Sequence, residues 1–274
     1  MKRKALSAVY QTVCLLLGLI LIFPIIYAFL ISFMGQREIL TKGIHLIPNQ
    51  WQFNNYKEAL RLTPLVRYMF NSLVLSGVSS AVRVIVASLA AFSFAFFTYK
   101  GKNFLFMLCM TTMMIPGDVV LITNYKTVAS LGLTDTYVGM MAMFFVSVMN
   151  IFMFRQYYLS FSKELYDAAK VDGCANLVFF VKILLPLSRS VISTVFISSF
   201  VSTWNTYLWP MLVTNDDRMR TVQVGITMLN SKDGGTVYGP IMAASVMVLV
   251  PTIVVFVLFQ KQIAGGMMAG SVKG

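Results

Sequence analysis

The sequence predicts an all-α membrane protein of six transmembrane helices, and three observations predict it. Of 274 residues, 58% are hydrophobic and only 12% are charged, whereas soluble domains run nearer a quarter charged. Mean hydropathy is +0.76. Six stretches reach the roughly 20 apolar residues that one bilayer crossing needs, at about 10–33, 68–97, 104–125, 136–158, 187–213 and 238–259. The net charge of +12 would suit nucleic acid in a soluble protein. Here a lysine and arginine excess in cytoplasmic loops accounts for it, and no nucleic-acid partner is expected.

The first span follows Lys2-Arg3-Lys4, as a signal peptide would. It is too long for such a peptide and no small-x-small cleavage site follows, so a retained anchor is expected. The same basic cluster sets the N-terminus in the cytoplasm, and six crossings return the C-terminus there. Lys100-Gly101-Lys102 then falls inside. The bias over the remaining loops is modest, so orientation rests on these two features. The chain divides into an anchor helix and extracytoplasmic loop (1–67), a transmembrane core (68–260) and a cytoplasmic tail (261–274). Within the first part, "IPNQWQFNNYKEAL" predicts a short surface helix beginning near Asn54 or Asn55, either suited to N-capping.

In the second span Ala87, Ala91 and Ala95 stand at i+4 spacing, a face for close helix approach or ordinary apolar filler. The third holds Pro116-Gly117, an expected helix break whose freed backbone groups need partners in protein or water. Arg83 and Asp118 are the prominent charges inside spans. They mark a translocation pathway, a structural pairing or a contact with a partner subunit. The fifth span ends outside with "TWNTYLWP". There Trp204, Asn205, Tyr207 and Trp209 suit sugar stacking and hydroxyl hydrogen bonds, or an interfacial aromatic belt. Residues 215–237, with "SKDGG", read as an exposed turn region. Cys14, Cys109 and Cys174 show no paired spacing and His45 is the only histidine, so neither a metal site nor catalytic residues are expected.

The segment "ELYDAAKVDGCANLVFFVKILLP", residues 164–186, interrupts this apolar pattern. Lys163, Glu164, Asp167, Lys170 and Asp172 would each cost about 2.5–3.5 kcal/mol at a helix centre. The segment is therefore a cytoplasmic loop between the fourth and fifth spans. Ser162 can cap a helix with Glu164 in its first turn, and Gly173 can supply the left-handed residue that ends it. A second helix follows Asn176, through Phe179, Phe180 and Ile183 to Pro186. Ala168 and Ala169 leave little bulk, and the charges around them can fix register. A docking surface and a solvated surface helix both fit.

These residues resemble the EAA motif of permease subunits of binding-protein-dependent ABC importers. Asp167-Ala168-Ala169 stands at the E-A-A, Asp172-Gly173 at the D-G and Leu185-Pro186 at the Leu-Pro. Asp167 replaces the usual glutamate, Cys174 the usual alanine, and Ser190 a second proline. The stretches beginning at Asn71, Met113, Thr203 and Gly265 are similar to the smaller, six-span partner of the two permeases in maltose-type carbohydrate importers. The resemblance implies that the loop is a coupling helix, with Glu164, Asp167, Ala168, Ala169, Asp172, Gly173 and Pro186 engaging a cytoplasmic ATPase. It implies that Ser271 and Lys273 of the tail reach the same ATPase. It further implies a second permease subunit, two copies of the ATPase carrying ATP and Mg, and an extracellular or periplasmic solute-binding protein. In that family much of the sugar contact can come from the larger permease.

The chain has no G-x-x-x-x-G-K-[ST], so no ATP site or other cofactor of its own is expected. An ion-coupled secondary transporter is the rival. It would show matched broken helices and ion-coupling groups, where this sequence offers one Pro-Gly break and two isolated charges. An embedded enzyme lacks any Ser/His/Asp, Cys/His or metal cluster to build on. The expected location is the bacterial cytoplasmic membrane.

Overall fold

The computed structural model describes residues 2–41, 43, 45–229 and 237–269, and every regular element among them is helical. In chain order the first helices are α1 (Lys2–Ile31), α2 (Gln36–Leu40), α3 (Asn54–Leu62), α4 (Leu65–Phe96) and α5 (Lys102–Thr111). Next come α6 (Gly117–Ser130), α7 (Tyr137–Met141), α8 (Val148–Leu159), α9 (Lys163–Val171) and α10 (Asn176–Phe179). The last are α11 (Leu185–Leu187), α12 (Arg189–Trp204), α13 (Leu208–Val213), α14 (Val222–Leu229) and α15 (Tyr238–Ala269).

Three helices are long and apolar enough to cross a membrane unaided: Tyr10–Ile31, Leu65–Phe96 and Tyr238–Gln260. Three further candidates are bent pairs: Lys102–Met114 with Gly117–Ser130 at 98°, Tyr137–Phe144 with Val148–Leu159 at 49°, and Asn176–Leu187 with Arg189–Trp204 at 79°. The sequence predicts a single break, at Pro116-Gly117. At the first bend Pro116 has no N–H to donate and holds Ile115 in an extended conformation. At the second, extended Ser147 restarts the chain by accepting Asn150 N–H at 3.4 Å. At the third, Pro186 follows a widened π turn over Phe180–Leu184, and the axis turns at Ser188.

The fifth apolar stretch is likewise interrupted. The sequence predicts one span over 187–213, yet α12 stops at Trp204 and a short α13 follows. A helix running through both would set the Pro210 ring against the carbonyl of Thr206. A smaller correction concerns α3. It begins at Asn54, but neither asparagine caps it. Asn55 Nδ2 instead donates to Ser32 O and Met34 O at 2.9 and 3.0 Å.

The chain forms two compact units, each discontinuous in sequence: residues 1–66 with 225–250, and 67–224 with 251–274. In the first, the Phe33 ring is surrounded by those of Phe29, Trp51, Phe53 and Tyr56 at 5.1–5.2 Å. Tyr238 N–H donates to Gln36 Oε1 at 2.8 Å. In the second, Ala87 and Ala91 are buried and Ala95 is half-buried, in one core with Phe154, Tyr158, Phe179 and Phe180. The small residues let these rings come close, so the alanine face serves close approach.

At the other end of α4, Asn71 Nδ2 donates to the carbonyls of Arg218 and Arg220, and Tyr137 Oη donates to Asn71 Oδ1 at 2.7 Å. Asp135 Oδ1 accepts the N–H groups of Asn215 and Asp216. These bonds tie the polar segment after α13 to α4 and α7.

Candidate functional site

The charged segment folds as its sequence dictates. Ser162 Oγ accepts the N–H of Glu164 at 3.1 Å, and α9 runs with Glu164 in its first turn and Lys170 in its last. Both charges suit the helix dipole. Gly173 has φ +74°. Its N–H bonds to Lys170 O at 3.0 Å, and Cys174 N–H reaches back to Ala169 O at 2.9 Å. This pair of bonds is a Schellman cap, which only a residue tolerant of the left-handed region closes cheaply.

The two faces of α9 do different things. Tyr166 and Ala169 turn inward, three residues apart. The Tyr166 ring meets Phe96 at 5.1 Å and Phe179 at 5.0 Å, and its hydroxyl donates to Asn176 Oδ1 at 2.8 Å. Burial first, then the adjacent Asp167 charge, push the Tyr166 phenol above its ordinary value. Glu164, Asp167, Ala168, Lys170, Asp172, Gly173 and Pro186 are exposed. Val171 and Leu177 stand out among them at 87% and 67% exposure. Among the described residues, no ion pair within the chain engages any of those four charges. The expectation that both alanines open the surface is corrected: Ala168 does so, whereas Ala169 is 9% exposed and belongs to the core. Ala169 lies three residues from Tyr166 on the side that meets the core, while Ala168, turned about 100° from it, stays outside.

The other candidates scatter. Arg83 is buried, donates Nε–H to Phe144 O at 2.6 Å and lies over the Phe144 ring. It thus supplies a partner for a carbonyl at the second bend. Asp118 is exposed in the first turn of α6, just past the Pro116 bend. Trp204 and Trp209 are each 2% exposed. Trp204 stacks on Phe200, and Trp209 donates to Met140 O at 3.1 Å. Their faces are enclosed by the chain itself, which suits neither a sugar platform nor an outer belt. Asn205 is exposed and Tyr207 half-buried. Ser271, Lys273 and "SKDGG" lie outside the described residues. Sequence reasoning missed Tyr166 and Asn176, although Tyr166 and Ala169 at i, i+3 opposite Asp167 and Lys170 carry the signal.

The model of the family described as the binding-protein-dependent transport system inner membrane component matches residues 12–267. The chain belongs to that family. As an inner membrane component it is 33% identical over 276 residues to the sn-glycerol-3-phosphate transport system permease protein UgpE of Brucella abortus (strain 2308), covering 97% of this chain and 98% of that one. It is 32% identical over 263 residues to the arabinooligosaccharides transport system permease protein AraQ of Bacillus subtilis, covering 95% and 93%. The fold is shared with a chain in the crystal structure of a bacterial ABC transporter involved in the import of the acidic polysaccharide alginate. The TM-score is 0.80 at 22% identity, covering 95% of this chain and 97% of the other. The chain is thus a permease component of a transport system.

Proposed function

We propose that this permease component forms, with a second permease subunit, the membrane pathway of an ABC importer, and that the exposed face of α9 docks a cytoplasmic ATPase. With the Lys2-Arg3-Lys4 cluster inside, six crossings, each bent pair counting as one span, would put both termini and α9 on the cytoplasmic side. A solute-binding protein outside the membrane delivers the substrate. ATP and Mg act on the two ATPase copies, and this chain binds no cofactor and catalyses no reaction. The class of substrate is a sugar, an oligosaccharide or a related polyol, the range that the names of the two relatives span.

One observation carries the docking reading: α9 is capped at both ends and rooted by Tyr166 and Ala169, while Val171 is 87% exposed and, among the described residues, its charges make no ion pair, Lys170 reaching only the Tyr166 ring. Closure of the ATPases would push on this helix. The Tyr166 contacts with Phe96 and Phe179 pass the displacement to the end of α4 and to the segment that enters α12. ATP must bind the outward-facing assembly more tightly than the inward-facing one, or no work is transmitted. Asp118, Asn205 and Tyr207 remain the pathway candidates, and Arg83 acts as a structural partner of the second bend. The ion-coupled alternative gains three bends but, among the described residues, no cluster of three or more His, Cys, Asp or Glu, and it leaves the outward face of α9 without a role.

The test replaces Asp167 with Lys, and separately Gly173 with Pro, in the assembled importer. Both variants are expected to insert into the membrane normally, to retain less ATPase on purification and to lose most substrate uptake. Unchanged association and unchanged uptake in both would falsify the docking assignment.

A further inference from the structure

Beside the root of α9, two adjoining cavities of about 390 and 380 Å³ share Thr98 and Lys102. The first opens past Asn103 and Phe104, and the second runs between the ends of α4 and α8 to Lys163, Tyr166 and Asp167. Lys102 Nζ donates to Phe97 O at 2.7 Å and keeps two further N–H groups. Arg155 stands close enough for its charge, like that of Lys163, to act on Lys102. Its guanidinium lies 4.1 Å over the Phe106 ring, and its Nε is buried with no acceptor. Lys102 and Lys163 thus line a cavity in which Asp167 is the single carboxylate, Arg155 adds its charge from nearby, and among the described residues none of the three cations is in an ion pair. Like charges at this spacing repel, and an anion seated among them relieves the repulsion.

The rim identifies the kind of anion. Phe104 is 69% exposed at the mouth of the first cavity, and Leu108, one turn further along α5, is exposed on the same face. A phosphate beside Lys102 would therefore have an apolar strip running away from it along the start of a span. Basic pockets at the cytoplasmic ends of spans are the setting in which anionic headgroups are held. We propose that the Lys102–Lys163 cavity holds the phosphate headgroup of an anionic phospholipid of the inner leaflet, with its acyl chains along the Phe104–Leu108 face. This rests on the reading that α9 and residues 98–101 are cytoplasmic. A lipid phosphate there would brace the root of α9 beside Tyr166 and Asp167.

The test is retention of phosphatidylglycerol against phosphatidylcholine by the assembled importer in detergent, read by native mass spectrometry. Phosphatidylglycerol should be retained preferentially by the wild type, with its apparent affinity lowered about fivefold by Lys102→Gln and about fivefold by Lys163→Gln. Lys102→Arg should restore it. Lys100→Gln removes the same charge two residues away, outside both cavities, and should leave it unchanged within about twofold. An equal loss in Lys100→Gln, or equal retention of the two lipids, would overturn the proposal. Inorganic phosphate displacing phosphatidylglycerol at equal concentration would overturn the lipid assignment in favour of a soluble anion. Labelling of Lys100→Cys in sealed inside-out vesicles, in a background without native cysteines, reports the side of the membrane separately. A wrong topology and an empty cavity therefore give different results.

Discussion

Gly139 has no room for a side chain, since a Cβ built on it would lie 2.1 Å from the carbonyl oxygen of Leu133. Its own N–H is held by Thr136 Oγ1 at 3.1 Å, which fixes the start of α7. Gly139→Ala must therefore displace backbone, and we expect a loss of about 1–3 kcal/mol, read as a lowered melting temperature in detergent. Tyr166 makes a different residue-scale prediction. Its phenol is raised above the ordinary value of 10.0, so the Asn176 bond made by the protonated form is intact below the unfolded value. The stability it gives is lost only as pH rises through the folded value. Between pH 6 and about 9, well below the ordinary tyrosine value, wild type and Tyr166→Phe should differ by a constant amount, roughly 0.5–1.5 kcal/mol. A difference that changes within that window would contradict the assignment. None of this was legible from the residue types alone. Gly139 is one of 17 glycines, and only the proximity of Leu133 distinguishes it.

At the scale of elements, α9 is where sequence and structure agree most closely. Ser162 and Gly173 act through neighbours a few residues away, so capping and the left-handed turn follow from local chemistry. Ser162→Ala should cost about 1 kcal/mol of local helix stability. Hydrogen exchange at α9 should then rise while exchange in α8 stays unchanged. The bends were less legible. Pro116 announces its own, because a missing N–H is a property of the residue. The bend between α7 and α8 has no proline, and it depends on Arg83 reaching across from α4 to Phe144 O. Arg83→Leu leaves that carbonyl without its donor, an expected cost of about 1–3 kcal/mol. Loss of thermal stability without loss of ATPase association is the measurement that checks this. A pathway role instead would leave stability untouched and change uptake.

Over the whole molecule, the apolar window of α1 is 0% buried by the rest of the chain, which suits a surface that meets lipid or another subunit. The proposed six crossings predict a labelling pattern in a background free of native cysteines. Cysteines at positions 100 and 170 should react from the cytoplasmic side, and at 216 from the outside. Reaction of 170 and 216 from the same side would remove α9 from the reach of an ATPase.

What the sequence alone determined was what local chemistry can state. Apolar runs of bilayer length imply helices, because backbone polar groups have no water to bond within the membrane. The charge, cap and glycine pattern of 162–173 sets a helix and its turn, and the EAA resemblance points to its family. Tertiary structure decided which side each residue faces. It drew Ala169 into the core and left Ala168 outside, and it closed Trp204 and Trp209 inside the chain. It also set Lys102 and Lys163 around one cavity although 61 positions separate them in the chain. Such placements depend on contacts between residues distant in sequence, and no local pattern encodes them.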